Sequence, residues 1–161
     1  CNTIAVQCFR DVTPRLGYTY LKDLGFEKVT DHEVINGQVF DDAREPTALG
    51  GITNGVSTLE LTAAYAAIAN GGTYTKPVFY TKILDQNGDV VLENKPKTTE
   101  VFRESTAYLL TSALESVVND EGGTGNGLKL DNMPVAGKTG TTSATRDVWF
   151  AGFTPYYTCA V

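Results

Sequence analysis

The chain has 161 residues, 42% hydrophobic and 20% charged, with a formal net charge of -6. A chain of that length buries roughly two thirds of its extended surface and can hold a real core. The acidic balance, without a run of Lys or Arg, argues against nucleic acid as a partner, and no apolar stretch approaches the ~20 residues of a membrane span.

The opening residues, Cys1 to Val6, contain no initiator Met, no basic segment and no long apolar run. At the other end Thr158 to Val161 reads as a strand with no turn signal after it. The expectation is a piece of a longer protein, with any signal or anchor outside it. Thr3 to Phe9 fits a short helix. Thr13-Pro14 supplies an N-cap and a first helical position for a second helix over Arg15 to Leu24, and Gly25 sits where a C-terminal cap belongs. His32 lies in a polar, turn-like stretch with no orienting partner in view, so it reads as surface rather than as part of a metal site or a Ser-His-Asp triad.

From Val29 to Gly55 the pattern is irregular and polar, a long connection of the kind that often carries function. Ser57-Thr58-Leu59-Glu60 is a capping box opening an Ala-rich helix from Thr58 to Asn70, which Gly71-Gly72 ends. Pro77 to Leu84 and Val90 to Glu93 flank Asn87-Gly88, a strong hairpin signal. Glu104 to Val118 is an amphipathic helix with Ala107, Leu110, Leu114 and Val117 or Val118 on one face. Gly122 to Gly127 reads as a flexible, glycine-rich loop. It lacks the Lys-Ser/Thr ending and the preceding strand of a P-loop.

Val135 to Thr141, Val148 to Phe153 and Tyr157 to Val161 read as strands with short connections, hence antiparallel. Helices first and clustered strands last predict an α+β fold, with helices packed on an antiparallel sheet. Cys1, Cys8 and Cys159 are odd in number and lack C-x-x-C spacing, so no closed disulfide set and no zinc site is expected. No metal and no cofactor is expected elsewhere.

The chemistry concentrates in Val135-Ala136-Gly137-Lys138-Thr139-Gly140-Thr141-Thr142. A lysine in the middle of an apolar strand is costly to bury unless it is paired or faces a cleft. Neighbouring glycines lower the side-chain wall and admit close approach to the backbone. The hydroxyls of Thr139 and Thr141 project to one face by the period of two. Together these predict a cationic, hydroxyl-lined groove along an edge strand, suited to an extended peptide ending in a carboxylate.

Lys-Thr-Gly, with S-x-x-K and S-D-N, is the signature of β-lactamases and penicillin-binding proteins. The stretch Val135 to Pro155, and LGGITNGVSTLELTAAYAAIANGGTYT over Leu49 to Thr75, resemble the bifunctional, class A penicillin-binding proteins. The opening Asn2-Thr3-Ile4-Ala5-Val6 is similar to the residues after the serine of their S-x-N motif, with Asn2 as its asparagine and Cys1 as its middle residue; Ile4 stands where proline is expected in many relatives. The resemblance covers most of the chain in matching order. It implies a penicillin-binding protein/serine β-lactamase-like fold, incomplete here, with residues 1–161 as the C-terminal portion of a transpeptidase domain truncated at both ends.

In that family a serine attacks the carbonyl of a D-Ala-D-Ala stem peptide, D-Ala leaves, and an amine of a neighbouring stem takes the acyl group; β-lactams imitate the dipeptide. The resemblance then implies that Lys138 sustains positive potential and aids proton transfer, and that Asn2 hydrogen-bonds the acyl side-chain amide. The Thr139 and Thr141 hydroxyls would bind the carboxylate, Gly140 would keep the strand open, and the Thr141 N–H would supply half of an oxyanion hole. It also implies an extracytoplasmic site at the bacterial membrane, an upstream glycosyltransferase domain and the rest of the transpeptidase domain as partners. Arg146 and Asp147 read as a structural pair, Trp149 and Phe150 as core or groove wall.

No Ser-x-x-Lys occurs in the chain, so the piece alone is expected to be inactive. The alternatives are a D,D-carboxypeptidase or serine β-lactamase, or a catalytically inactive penicillin-binding sensor or structural module. The Leu49 to Thr75 segment argues against the first two.

Overall fold

The computed structural model describes residues 2–161, residue 143 by its backbone alone; Cys1 lies outside the described residues. The chain divides into two compact units, one running to Leu61 and the other Thr62–Val161.

The first unit opens with α1 (Asn2–Val12), longer than the sequence expectation, and α2 (Pro14–Asp23). Thr13 caps α2, the Leu16 N–H donating to its hydroxyl at 3.4 Å. At the other end Gly25 takes φ 84°, with Gly25 N–H donating to Lys22 O and Phe26 N–H to Leu21 O. That pair of bonds is a Schellman ending, and the left-handed turn is why glycine stands there. Gly17 admits the Phe9 ring against α2, since a Cβ would lie 2.3 Å from Phe9 Cε2.

The stretch read as an irregular connection holds a hairpin, β1 (Glu33–Ile35) with β2 (Gln38–Phe40), Ile35 facing Gln38 across Asn36-Gly37. Both turn residues have positive φ, 51° and 79°. This is the Asn-Gly two-residue turn whose twist matches its strands, and the dipeptide was visible in the sequence. A short 3-10 helix (Glu45–Leu49) comes next.

Asp42 organises this segment. Its side chain is fully buried, yet Oδ2 accepts from Thr30 N–H at 3.0 Å, and Oδ1 accepts from Thr53 N–H at 2.8 Å and the Thr53 hydroxyl at 2.6 Å. The Asp42 carbonyl accepts the Thr47 hydroxyl at 2.6 Å. Burial by itself would raise the carboxyl pKa; these bonds to the charged form reverse that and hold it below the usual value.

The capping box forms as expected at the start of α3 (Thr58–Ala69). Glu60 N–H donates to Ser57 Oγ at 3.2 Å, while Ser57 N–H and hydroxyl both reach Glu60 Oε2 at 2.7 Å, and Glu27 N–H reaches Oε1 at 2.9 Å. Burial pushes Glu60 up, but the Ser57 and Glu27 donors outweigh it and its pKa is lowered. Ser57→Ala is expected to cost about 1 kcal/mol, read as a lower urea midpoint; an unchanged midpoint would show the cap to be dispensable.

In the second unit, Gly71 (φ 63°) and Gly72 (φ 97°) end α3. β3 (Thr73–Thr75) pairs antiparallel with β6 (Thr98–Glu100), a pairing the sequence did not announce, and β4 (Lys82–Leu84) forms the expected hairpin with β5 (Val90–Glu93). α4 (Glu104–Asn119) buries Ala107, Leu114 and Val118. Leu110, expected on that face, is 37% exposed.

The chain ends in an antiparallel sheet, β7 (Ala136–Thr141), β8 (Val148–Phe153) and β9 (Thr158–Ala160), in the order β7-β8-β9. Leu114 of α4, Ala136 and Phe153 form the core between helix and sheet, with Tyr65 and Ile68 of α3 packed against it. The small side chains of α3 permit this: Ala63, Ala64 and Ala67 are all buried. This is the α+β arrangement of helices on an antiparallel sheet. Among the described residues no helix is long and apolar enough to cross a membrane.

Candidate functional site

β7 lies at the edge of its sheet, paired on one side with β8 in unbroken register from Ala136↔Phe153 to Thr141↔Val148. Unbroken pairing preserves the alternation, so Gly137, Thr139 and Thr141 share one face and Ala136, Lys138 and Gly140 the other. The inner end of the strand is anchored, Ala136 and Gly137 being buried, while Lys138, Gly140 and Thr141 are exposed and Thr139 half-buried. A core-anchored strand thus carries its polar residues out to solvent in fixed geometry.

Lys138 is exposed, so desolvation of its ammonium is not at issue; its Nζ turns along the strand and donates to Thr139 O at 2.6 Å, with Thr139 Oγ1 at 3.5 Å. One expectation about this strand, that its glycines open it, needs correction. A Cβ on Gly137 would fall 2.5 Å from Phe150 Cζ, and one on Gly152 would fall 2.7 Å from the same atom. The Phe150 ring occupies the space those glycines leave. Gly140 differs: only Trp149 Cβ, at 3.8 Å, comes near a Cβ placed there, and the approach to Thr139–Thr141 stays open.

Past the strand, Ala144 and Thr145 take positive φ, 59° and 51°, in the turn leading to β8. Asp147 takes its partner from Thr142 rather than from Arg146: its N–H donates to Thr142 Oγ1 at 2.9 Å, and the Thr142 N–H donates to Asp147 O at 3.0 Å. These bonds close the turn that returns the chain to β8.

The glycine-rich loop is the residue set that sequence reasoning missed. Gly123 N–H donates to Asp120 O, Gly125 N–H to Val117 O, and the Asn126 amide to Asp120 O, so the loop is fastened onto the last turn of α4. From it Thr124 Oγ1 meets Thr139 Oγ1 at 2.7 Å. No spacing rule connects positions that far apart; only the packing of α4 on β7 brings them together.

Asn2 opens α1 in the first unit and is exposed. His32 is exposed, as are the free thiols Cys8 and Cys159. Among the described residues no group of His, Cys, Asp and Glu side chains could hold a metal ion. An open cavity of about 220 Å³ lies on the helix side of the sheet, lined by Thr111, Glu115, Pro134, Ala136, Phe153 and Pro155 among others. It does not include the Lys138–Thr141 hydroxyl row.

With this geometry in view, comparison with known proteins is specific. Residues 1–160 match the penicillin binding protein transpeptidase domain. Over 122 residues, 75% of this chain and 15% of the relative, it is 42% identical to penicillin-binding protein 1A of Clostridium acetobutylicum. To penicillin-binding protein 1F of Bacillus subtilis it is 37% identical over 147 residues, 88% of this chain and 20% of the relative. The crystal structure of penicillin-binding protein 1A from Haemophilus influenzae superposes with a TM-score of 0.77 at 23% identity, covering 99% of this chain and 28% of that one. The chain therefore belongs to the penicillin-binding protein transpeptidase family, with the fold of that group, and it spans between a seventh and a fifth of these curated relatives' length.

Proposed function

We propose that this chain is the C-terminal portion of the transpeptidase domain of a bifunctional, class A penicillin-binding protein, and that it supplies the substrate-binding wall of the cross-linking site. The observation that carries this reading is the edge strand β7, which holds Lys138, Thr139 and Thr141 along an open, core-anchored backbone. A carboxylate needs donors and positive potential, and this strand offers both.

In the complete protein, an upstream serine attacks the penultimate D-Ala carbonyl of a stem peptide. Its Oγ gives up its proton as the Oγ–C bond forms, and that proton passes to the D-Ala amine as the amide C–N bond breaks. An amine from a second stem then attacks the ester and restores the serine. Lys138 keeps positive potential beside the reacting hydroxyls. Thr139 and Thr141 hydrogen-bond the substrate carboxylate, and Gly140 leaves room for it. The Thr141 N–H stabilises the developing oxyanion, a kind of contact typically worth about 2.7–4 kcal/mol. Asn2 bonds the acyl side-chain amide. The same hydroxyls take the carboxylate of a β-lactam. The site works at the extracytoplasmic face of the bacterial membrane, beside an upstream glycosyltransferase domain.

A fluorescent penicillin tests this directly. The complete protein is expected to take a covalent label. Residues 1–161 alone, which contain no Ser-x-x-Lys, are expected to take none. Label on the isolated chain would place the nucleophile within it, and an unlabelled complete protein would refute the transpeptidase reading.

A further inference from the structure

We propose that Thr124 is a positioning residue which donates its hydroxyl to Thr139 and thereby turns the Thr139 proton toward an incoming carboxylate; this rests on the substrate-binding reading of β7 above. The two Oγ1 atoms are 2.7 Å apart. A threonine hydroxyl has one proton to give and two lone pairs to receive with. Lys138 Nζ lies 3.5 Å from Thr139 Oγ1, and an ammonium can only donate. Thr139 is then left with one lone pair and one proton to assign between Thr124 and the ligand.

A carboxylate is acceptor-only, so Thr139 binds it solely by giving its proton outward. Thr124 must therefore be the donor between the two threonines. With Lys138 and Thr124 both donating into Thr139, its O–H is polarised as well as aimed, because donors into a hydroxyl oxygen strengthen the bond it gives.

The loop is built to hold that arrangement. A Cβ on Gly123 would sit 2.2 Å from Val117 O, and one on Gly125 3.3 Å from the same oxygen. Glycine at both positions lets the backbone lie against the end of α4, where Gly125 is buried. The side chain between them is the one that reaches the strand.

The test uses the complete protein, with benzylpenicillin and its methyl ester as probes, and measures the second-order acylation rate of each. Thr124→Val removes the hydroxyl and keeps the shape. It is expected to slow acylation by the carboxylate about fivefold, the scale of the one neutral hydrogen bond lost. The ester rate should stay within about twofold, so that the carboxylate preference falls. Thr124→Ser, which retains the donor, is expected to restore the preference.

An unchanged carboxylate-to-ester ratio in Thr124→Val overturns the proposal, whether both rates stay normal or both fall together as a merely structural role would have it. A serine variant that leaves the ratio low overturns it too. A wild-type protein acylated by neither probe removes the substrate-binding reading and this inference with it; acylation with an unmoved ratio removes this inference alone.

Discussion

Replacing Asp42 by alanine is expected to destabilise the fold by about 3 kcal/mol, because three half-buried donors that share one fully buried carboxylate lose their acceptor at once. Each buried polar group left unsatisfied costs about 1–3 kcal/mol, and Thr30 N–H, Thr53 N–H and the Thr53 hydroxyl all point at this one fully buried carboxylate. Against a total stability of about 5–15 kcal/mol that is a large fraction. Asp42→Asn should lose less, since its amide oxygen can still accept while its NH2 must face one of the former donors. Urea unfolding of the three proteins reads both effects; a loss below about 1 kcal/mol for the alanine variant would mean that water replaces the carboxylate.

The same group sets a pH dependence of definite sign. The folded-state pKa of Asp42 lies below its unfolded value, which is about 3.9. Its contribution is therefore fully present above that unfolded value and is lost as the pH falls through the lower folded one. The stability gap between wild type and Asp42→Asn should be constant near neutrality and close in acid. A gap that widened in acid would contradict the assignment.

Lys138→Ala in the complete protein is expected to lower acylation by a fluorescent penicillin about 100-fold or more, the scale of a positioned proton-transfer group. The side chain is exposed and, among the described residues, its bonds run to its neighbour Thr139. Substituting it should therefore leave stability within about 0.5 kcal/mol, as for surface residues generally. The combination of a large rate loss and an unchanged unfolding midpoint separates a functional lysine from a structural one. Near-normal acylation would end the role assigned to it. Lys138→Arg should recover only part of the rate, because a planar guanidinium does not reproduce a compact ammonium.

Much of the fold is written locally. Thr13-Pro14 and Gly25 mark the ends of α2, and Ser57 with Glu60 marks the start of α3, because caps are satisfied within a few residues by the chain's own hydrogen bonds. The edge strand β7 and its hydroxyl alternation arise from a short apolar run with threonines two apart, as does the antiparallel sheet it belongs to. The Asn36-Gly37 hairpin was equally legible but lay inside a polar stretch that lacks alternating apolar flanks long enough to stand out.

What the sequence by itself determined, then, is where α2 and α3 are capped and which strand carries the Lys-Thr-Gly-Thr run. Tertiary structure decided the rest. That β3 pairs with β6 depends on a return over more than twenty residues, which no local pattern encodes. Whether Gly137 opens the strand or shelters a ring depended on Phe150, its diagonal neighbour across β8. Lys138 reaches solvent because the core ends at Ala136, a fact about packing rather than about the lysine. Thr124 meets Thr139 because helix packing sets positions fifteen residues apart at hydrogen-bonding distance. Local bonds are fixed by neighbours in the chain; the partners of a side chain in a groove are fixed by which surfaces the core brings together.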